Sequence, residues 1–179
     1  MDRWRRLGAD RLQRCRVFDL DRVRFAPPYG GAPREFFVVE APDWINVIPL
    51  TDDGRIVMVR EFRFGIDDFT LEIPGGMCDG DEPPADAARR ELVEETGYDA
   101  RELVDLGWVH PNPAVQTNRC HTFLALGAHP VGEPSPDADE AFEVVTVRKE
   151  DVPGLMRDGS ITHALVVAAF HRLALRECR

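Results

Sequence analysis

The spacing of apolar residues changes period at Ala85, and that change restricts the chain to folds that combine strands with helices. Before it, apolar residues fall in short runs broken by turn signals; after it, Ala85, Ala88 and Leu92 recur at steps of three and four, the stripe of an amphipathic helix. Pro84 and Gly97 mark the ends of that helix. Upstream, Val17 to Phe25 and Glu35 to Glu40 read as a hairpin with a long Pro/Gly-rich loop. Trp44 to Leu50 and Arg55 to Arg60 read as a second hairpin closed by Asp53-Gly54, which supplies the left-handed turn geometry such connections favour. Phe69 to Ile73 is one more strand, stopped by Pro74-Gly75-Gly76. Strand-like runs return at Leu103 to Val109, His121 to Leu126 and Phe142 to Val147, and a second helix is expected from about Ile161 to Arg176. Strands and helices do not alternate strictly. The expected class is therefore α+β, a mixed sheet with helices on its faces, and not a doubly wound parallel sheet.

The chain's 179 residues are enough to bury a core without disulfides. A net charge of −10 argues against a nucleic-acid partner, which needs a positive footprint, but leaves room for a small anionic substrate if a metal or a local arginine offsets the field. The longest apolar run, Ala164 to Phe170, is far below the roughly 20 residues of a bilayer span, so no membrane association is expected. With no readable secretory signal, and with Cys15, Cys78, Cys120 and Cys178 scattered outside any zinc spacing, the expectation is a cytoplasmic protein with incidental thiols. His110, His121 and His163 form no spaced set and read as structural, and the aromatics Trp44, Phe62, Phe64 and Trp108 invite a base-stacking reading, are more often core in apolar strands, and stay unassigned.

On the first helix Glu91, Glu94 and Glu95 fall within an arc of roughly 100°. Like charges this close repel, with Arg90 to Glu94 the evident intrahelical compensation. By itself such a face is a solvated acidic surface. The loop ahead of it changes the reading: Gly75-Gly76 lets backbone approach a ligand closely, and Glu82 lies just before the helix. A hard divalent cation would turn the crowded carboxylates into a site, since magnesium takes oxygen ligands together with substrate phosphates.

These residues resemble the signature of the Nudix hydrolase family: a glycine, five residues, a glutamate, seven residues, Arg-Glu, an apolar residue, any residue, Glu-Glu, any residue, glycine and an apolar residue. Here Gly76, Glu82, Arg90-Glu91-Leu92-Val93-Glu94-Glu95-Thr96-Gly97-Tyr98 fill it, with an aromatic Tyr98 where an aliphatic is usual. The resemblance implies an α/β/α sandwich with a mixed sheet over residues 43–179, preceded by an N-terminal antiparallel extension over 1–42. It implies hydrolysis of a nucleoside diphosphate linked to another group, with Mg2+ or Mn2+ as cofactor. Carried over by position, Glu91, Glu95, Glu94 and the carbonyl of Gly75 would be metal ligands. Glu94 would also orient water, and Arg90 and Glu82 would brace the ligands.

Glu61-Phe62-Arg63 before Leu71-Glu72-Ile73-Pro74-Gly75-Gly76, and Pro113 sixteen residues past Gly97, are similar to the branch that cleaves ADP-ribose and related nucleoside diphosphate sugars. Arg63, Glu72 and Gly76 are then the expected substrate-binding residues, although Arg63 also reads as an exposed strand-end arginine and Pro113 as loop punctuation. In that branch an acidic loop residue serves as general base. Glu140 is the first candidate here, with Asp139 and Glu143 behind it. The N-terminal hairpins resemble the sheet with which this branch forms intertwined homodimers. Two other readings stand beside this one: hydrolysis of another nucleoside diphosphate derivative, such as a dinucleotide or modified nucleotide, and a nucleotide-sugar-binding regulatory module without turnover.

Overall fold

A computed structural model describes residues 2–135 and 142–178, and these divide into two compact units, residues 2–42 with 110–119, and residues 43–109 with 120–135 and 142–178. In the first unit β1 (Arg5–Arg14), β2 (Asp19–Ala26) and β3 (Arg34–Glu40) form an antiparallel meander. The sequence reading missed β1. Nearly every residue of it is exposed and it carries five charged side chains in ten, so it shows no apolar alternation. Charge holds it instead: Arg11 reaches Asp19, Asp21 and Glu40 on the neighbouring strands. Residues 110–119 belong to the same unit, where Val39 N donates to Val115 O (2.7 Å) and Thr117 N to Val39 O (3.2 Å).

The second unit holds β4 (Trp44–Leu50), β5 (Arg55–Arg63), β6 (Asp68–Glu72), α1 (Pro84–Thr96), β7 (Tyr98–Asp99), β8 (Glu102–Val109), β9 (Cys120–Leu126), β10 (His129–Pro130), β11 (Phe142–Arg148), α2 (Val152–Arg157) and α3 (Ala164–Glu177). Its main sheet runs β11-β5-β4-β9-β8, with β6 on β5, and is mixed because β4 and β9 are parallel. Alternation assigns the layers. Ile45, Val47, Phe123 and Ala125 face α1, where they meet Ala87, Ala88 and Leu92. Ile48, Leu124, Met58 and Ile73 pack with Val166, Ala169, Phe170 and Leu173 of α3. The result is the expected α/β/α sandwich. The buried residues of α1 are Ala87, Ala88, Leu92, Glu95 and Thr96, and Ala85 is exposed: the buried stripe begins two residues later than its spacing predicts.

β4 and β5 make the expected hairpin, yet they share a single pair, Leu50↔Ile56. On its other edge β4 ladders with β9 along its whole length, and β6 takes over the edge of β5 from Val59. The freed edge of β4 is occupied by the run after β6. Val47 N donates to Pro74 O (2.8 Å), Ile45 N to Gly76 O (2.9 Å) and Cys78 N to Asp43 O (2.9 Å). The glycine-rich loop is thus stitched into the split of the sheet, directly before α1.

Leu92 is fully buried in the α1-side core. Leu92→Ala is expected to lower unfolding free energy by about 2–5 kcal/mol, whereas Ala85→Ser should fall within about 0.5 kcal/mol of native. Urea denaturation of the two variants against native protein measures both.

Candidate active site

Arg90 organises the glutamates of α1. Its Nε and Nη2 donate to the two oxygens of Glu82 (3.1 and 3.0 Å), its Nη1 to Glu91 (2.9 Å) and Glu94 (3.0 Å), and its Nη2 also to Met77 O (3.1 Å). Hydrogen bonding to Glu82 leads the causes that push the guanidinium above its ordinary range, and the same bond holds the Glu82 carboxyl below its own. Glu82 also accepts from Asp79 N (3.2 Å), so its carboxylate fastens the loop to the helix. The sequence pointed to the Arg90–Glu94 pair; the bonds to Glu82, Glu91 and the Met77 carbonyl are what the fold adds.

Glu95 lies deeper, 5% exposed, and accepts from Gly75 N (3.1 Å). Both glycines of the loop are required by space. A Cβ on Gly75 would run into the Ile45 carbonyl, and one on Gly76 into the Glu91 carboxylate. The loop backbone therefore cradles the helix carboxylates at distances no side chain would permit. Among the described residues no three His, Cys, Asp or Glu side chains already converge as a finished metal cage. The donor set nevertheless fits a hard divalent cation: Glu91, Glu94 and Glu95 offer only oxygen, and Gly75 places backbone against them.

A second network adjoins the first. Arg63, at the end of β5, forks onto Glu72 (Nε to Oε1 2.9 Å, Nη2 to Oε2 2.7 Å) and reaches Glu61 (3.0 Å). Glu72 also accepts from Thr70 Oγ1 (2.5 Å) and from His163 Nδ1 (2.6 Å). Burial works to raise the Glu72 carboxyl, but the bonds from Arg63, His163 and Thr70 outweigh it and hold the group well below the usual carboxylate range. Burial likewise works to lower Arg63, and the hydrogen bond to Glu72 together with the charges of Glu72, Glu61 and Glu95 overcomes it, which places Arg63 within electrostatic reach of Glu95.

The structure thus brings together Gly75, Gly76, Glu82, Arg90, Glu91, Glu94 and Glu95, with Arg63 and Glu72 beside them. Glu72 is itself buried beneath Arg63. Glu143 is not brought in: it pairs with Arg60, on the face of β5 opposite Glu61 and Arg63, and lies 3.4 Å from the Arg60 guanidinium. Glu140 and Asp139 lie outside the described residues. Sequence reasoning missed Thr70, Glu61 and His163. The two-residue spacing of Thr70 and Glu72, and of Glu61 and Arg63, is a strand-face signal that finds the first two. The Glu72–His163 contact spans 91 residues and has no local signal. Of the aromatics left unassigned, Phe64 and Trp108 are exposed, and Phe62 packs edge-on against Phe64 and the exposed Phe69.

The Glu72 carboxyl is lowered in the folded chain from an ordinary value of 4.5, so the unfolded chain binds the extra proton first as pH falls. Its stabilisation is fully present above pH 4.5 and is lost progressively below it. The stability difference between native protein and Glu72→Gln, followed by urea denaturation from pH 7 downward, should be flat to about pH 5 and then shrink. A difference that grows in acid contradicts this assignment.

The sequence matches the NUDIX domain over residues 42–170. It is 34% identical over 163 residues to the ADP-ribose pyrophosphatase of Bacillus subtilis, covering 90% of this chain and 88% of that protein. It is 33% identical over 140 residues to the ADP-ribose pyrophosphatase of Mycobacterium tuberculosis, covering 75% of this chain and 65% of that one. A crystal structure of an ADP compounds hydrolase shares the fold with a TM-score of 0.85, at 22% identity over 97% of this chain and 94% of that chain. With the motif whole, its residues assembled and these likenesses extending well beyond it, the chain belongs to the Nudix family and is an enzyme of the pyrophosphohydrolase type.

Proposed function

We propose that the chain hydrolyses the diphosphate of ADP-ribose or a related nucleoside diphosphate sugar, giving a nucleoside monophosphate and a sugar phosphate, with Mg2+ or Mn2+ as cofactor. The observation that carries this reading is the Arg90-centred assembly of Glu82, Glu91 and Glu94 beside a buried Glu95 bonded to Gly75. The names of two relatives matched over most of this chain support the substrate class. When bound, the cation polarises phosphoryl oxygens, offsets their charge and lowers the pKa of a water that attacks phosphorus.

The chain's own residues take the remaining roles. Glu91, Glu95, Glu94 and the Gly75 carbonyl hold the cation. Glu94, with 44% of its side chain exposed, is the carboxylate most open to an incoming water and orients it. Arg63 is our candidate contact for the diphosphate: Glu72 holds its Nε–Nη2 edge and Glu61 its Nη1, and the N–H groups those carboxylates leave would meet phosphate oxygens. Gly76 keeps the loop clear of Glu91. Glu140, outside the described residues, is our candidate for the general base.

The N-terminal extension over residues 1–42 is proposed as a dimerisation element. Its sheet exposes Leu7, Leu12, Phe36 and Phe37, with Phe36 and Phe37 on opposite faces, apolar area of which a second copy would cover a part. Free thiols at Cys15, Cys78, Cys120 and Cys178 accord with a cytoplasmic, reducing setting. No described helix is long and apolar enough to cross a membrane.

Native protein with ADP-ribose and Mg2+ should release AMP and ribose phosphate, and chelation of the metal should stop it. Glu95→Gln, which removes a charged ligand and keeps the shape, should lower kcat by about 1,000-fold. Light scattering should give the mass of two chains. Turnover that survives chelation or Glu95→Gln overturns the mechanism, and a faster rate on a different diphosphate overturns the substrate.

A further inference from the structure

We propose that His163 is a positioning residue for the diphosphate-binding arginine, acting from the start of α3 through Glu72. This rests on the role given to Arg63 above. Arg63 ends β5 next to the turn at residues 64–67, and the residues that fix it come from β5 and β6. Glu72 provides the fork, and an ionised carboxylate is acceptor-only, so four donors fill it: Arg63 Nε and Thr70 Oγ1 on Oε1, Arg63 Nη2 and His163 Nδ1 on Oε2. The Nδ1 of His163 therefore carries the hydrogen. With its bond in place the carboxylate plane is set from both edges, and the guanidinium is set by the carboxylate.

His163 is itself anchored. Val167 N donates to its carbonyl (3.1 Å), and Asn46 of β4 donates Nδ2 to Leu165 O (3.3 Å) in the same first turn of α3. A continuous path then runs from β4 through the first turn of α3, His163 and Glu72 to Arg63, which the Glu95 charge supports in turn. Two observations separate this role from plain packing. The His163 side chain makes no capping bond to α3, and 36% of it is exposed, so trimming it opens no sealed cavity. Among the described residues its side chain bonds to Glu72. His163 stands 91 residues from Glu72, so the C-terminal helix reports directly on the glycine-loop strand.

The test is a double-mutant cycle with a second readout that needs no substrate. His163→Ala should raise KM for ADP-ribose about tenfold with kcat within about twofold, the pattern of a lost interaction made equally in ground and transition states. His163→Gln, whose amide can donate to Glu72, should return KM to within about threefold of native. In an Arg63→Ala background, His163→Ala should change KM by less than about twofold. By NMR the Arg63 Nε–H should exchange slowly in native protein, faster in His163→Ala, and slowly again in His163→Gln. Additive KM effects, an Arg63 Nε–H unchanged by His163→Ala, or failure of His163→Gln to rescue overturns the proposal. If the alanine variant does not fold, His163→Met, which keeps volume without a donor, replaces it. If native protein does not turn over ADP-ribose, the substrate reading falls, and the Arg63 Nε–H exchange series alone decides the positioning role.

Discussion

The guanidinium of Arg90 is the interaction on which the site depends. Glu91, Glu94 and Glu95 occupy one face of a 13-residue helix, an arrangement that costs free energy through like-charge repulsion unless a cation stands among them. Arg90 is a fixed cation with a planar, multidentate fork, and it spends that fork on Glu82, Glu91, Glu94 and the carbonyl of Met77. It therefore does two things at once: it offsets the charge of α1, and it ties the loop before the helix to the helix itself. Glu95, one turn further along the same face, is left to the Gly75 amide and the electrostatic reach of Arg63.

The sheet decides where this assembly sits. Because β4 and β5 share only the pair at Leu50↔Ile56, the edge of β4 is open to the run from Pro74 to Cys78, which hydrogen-bonds along it before α1 begins. The loop backbone is rigid for that reason, and Gly75 and Gly76 are needed because Ile45 and Glu91 crowd it from two sides. α1 and α3 cover opposite faces of the same sheet, and each sends a group to the split: the carboxylates from α1, and His163 from the residue before α3. Function here follows from a defect in strand pairing that the glycine loop repairs.

Much of this was legible in the sequence for local reasons. The spacing of Arg90, Glu91, Glu94 and Glu95 after Gly76 and Glu82 specifies a helix face and a loop within 23 residues, and helical periodicity is a short-range signal. β5, β6, β8 and β9 read correctly because apolar runs between turn residues mark strands. β1 was illegible because charge pairs across strands hold it, with Arg11 at their centre. The short pairing of β4 with β5 was hidden because its competitor for that edge is the irregular run Pro74–Cys78, whose turn residues read as a strand stop. Glu143 read as a candidate from its place after an acidic loop, and its register opposite Arg60 sets it on the other face. His163 looked structural because its partner is on a distant strand.

The most direct measurement of the central claim, that Arg90 and the glycine loop pre-arrange Glu91, Glu94 and Glu95 for a hard divalent cation, is Mn2+ binding followed by electron paramagnetic resonance without substrate. Native protein should bind Mn2+ saturably, Glu95→Gln should lose that binding, and Arg90→Ala should weaken it about 10- to 100-fold while the helix stays folded. Equal Mn2+ affinity in native protein, Glu95→Gln and Arg90→Ala would contradict the account, because the carboxylates would then be a solvated helix face and not a metal site.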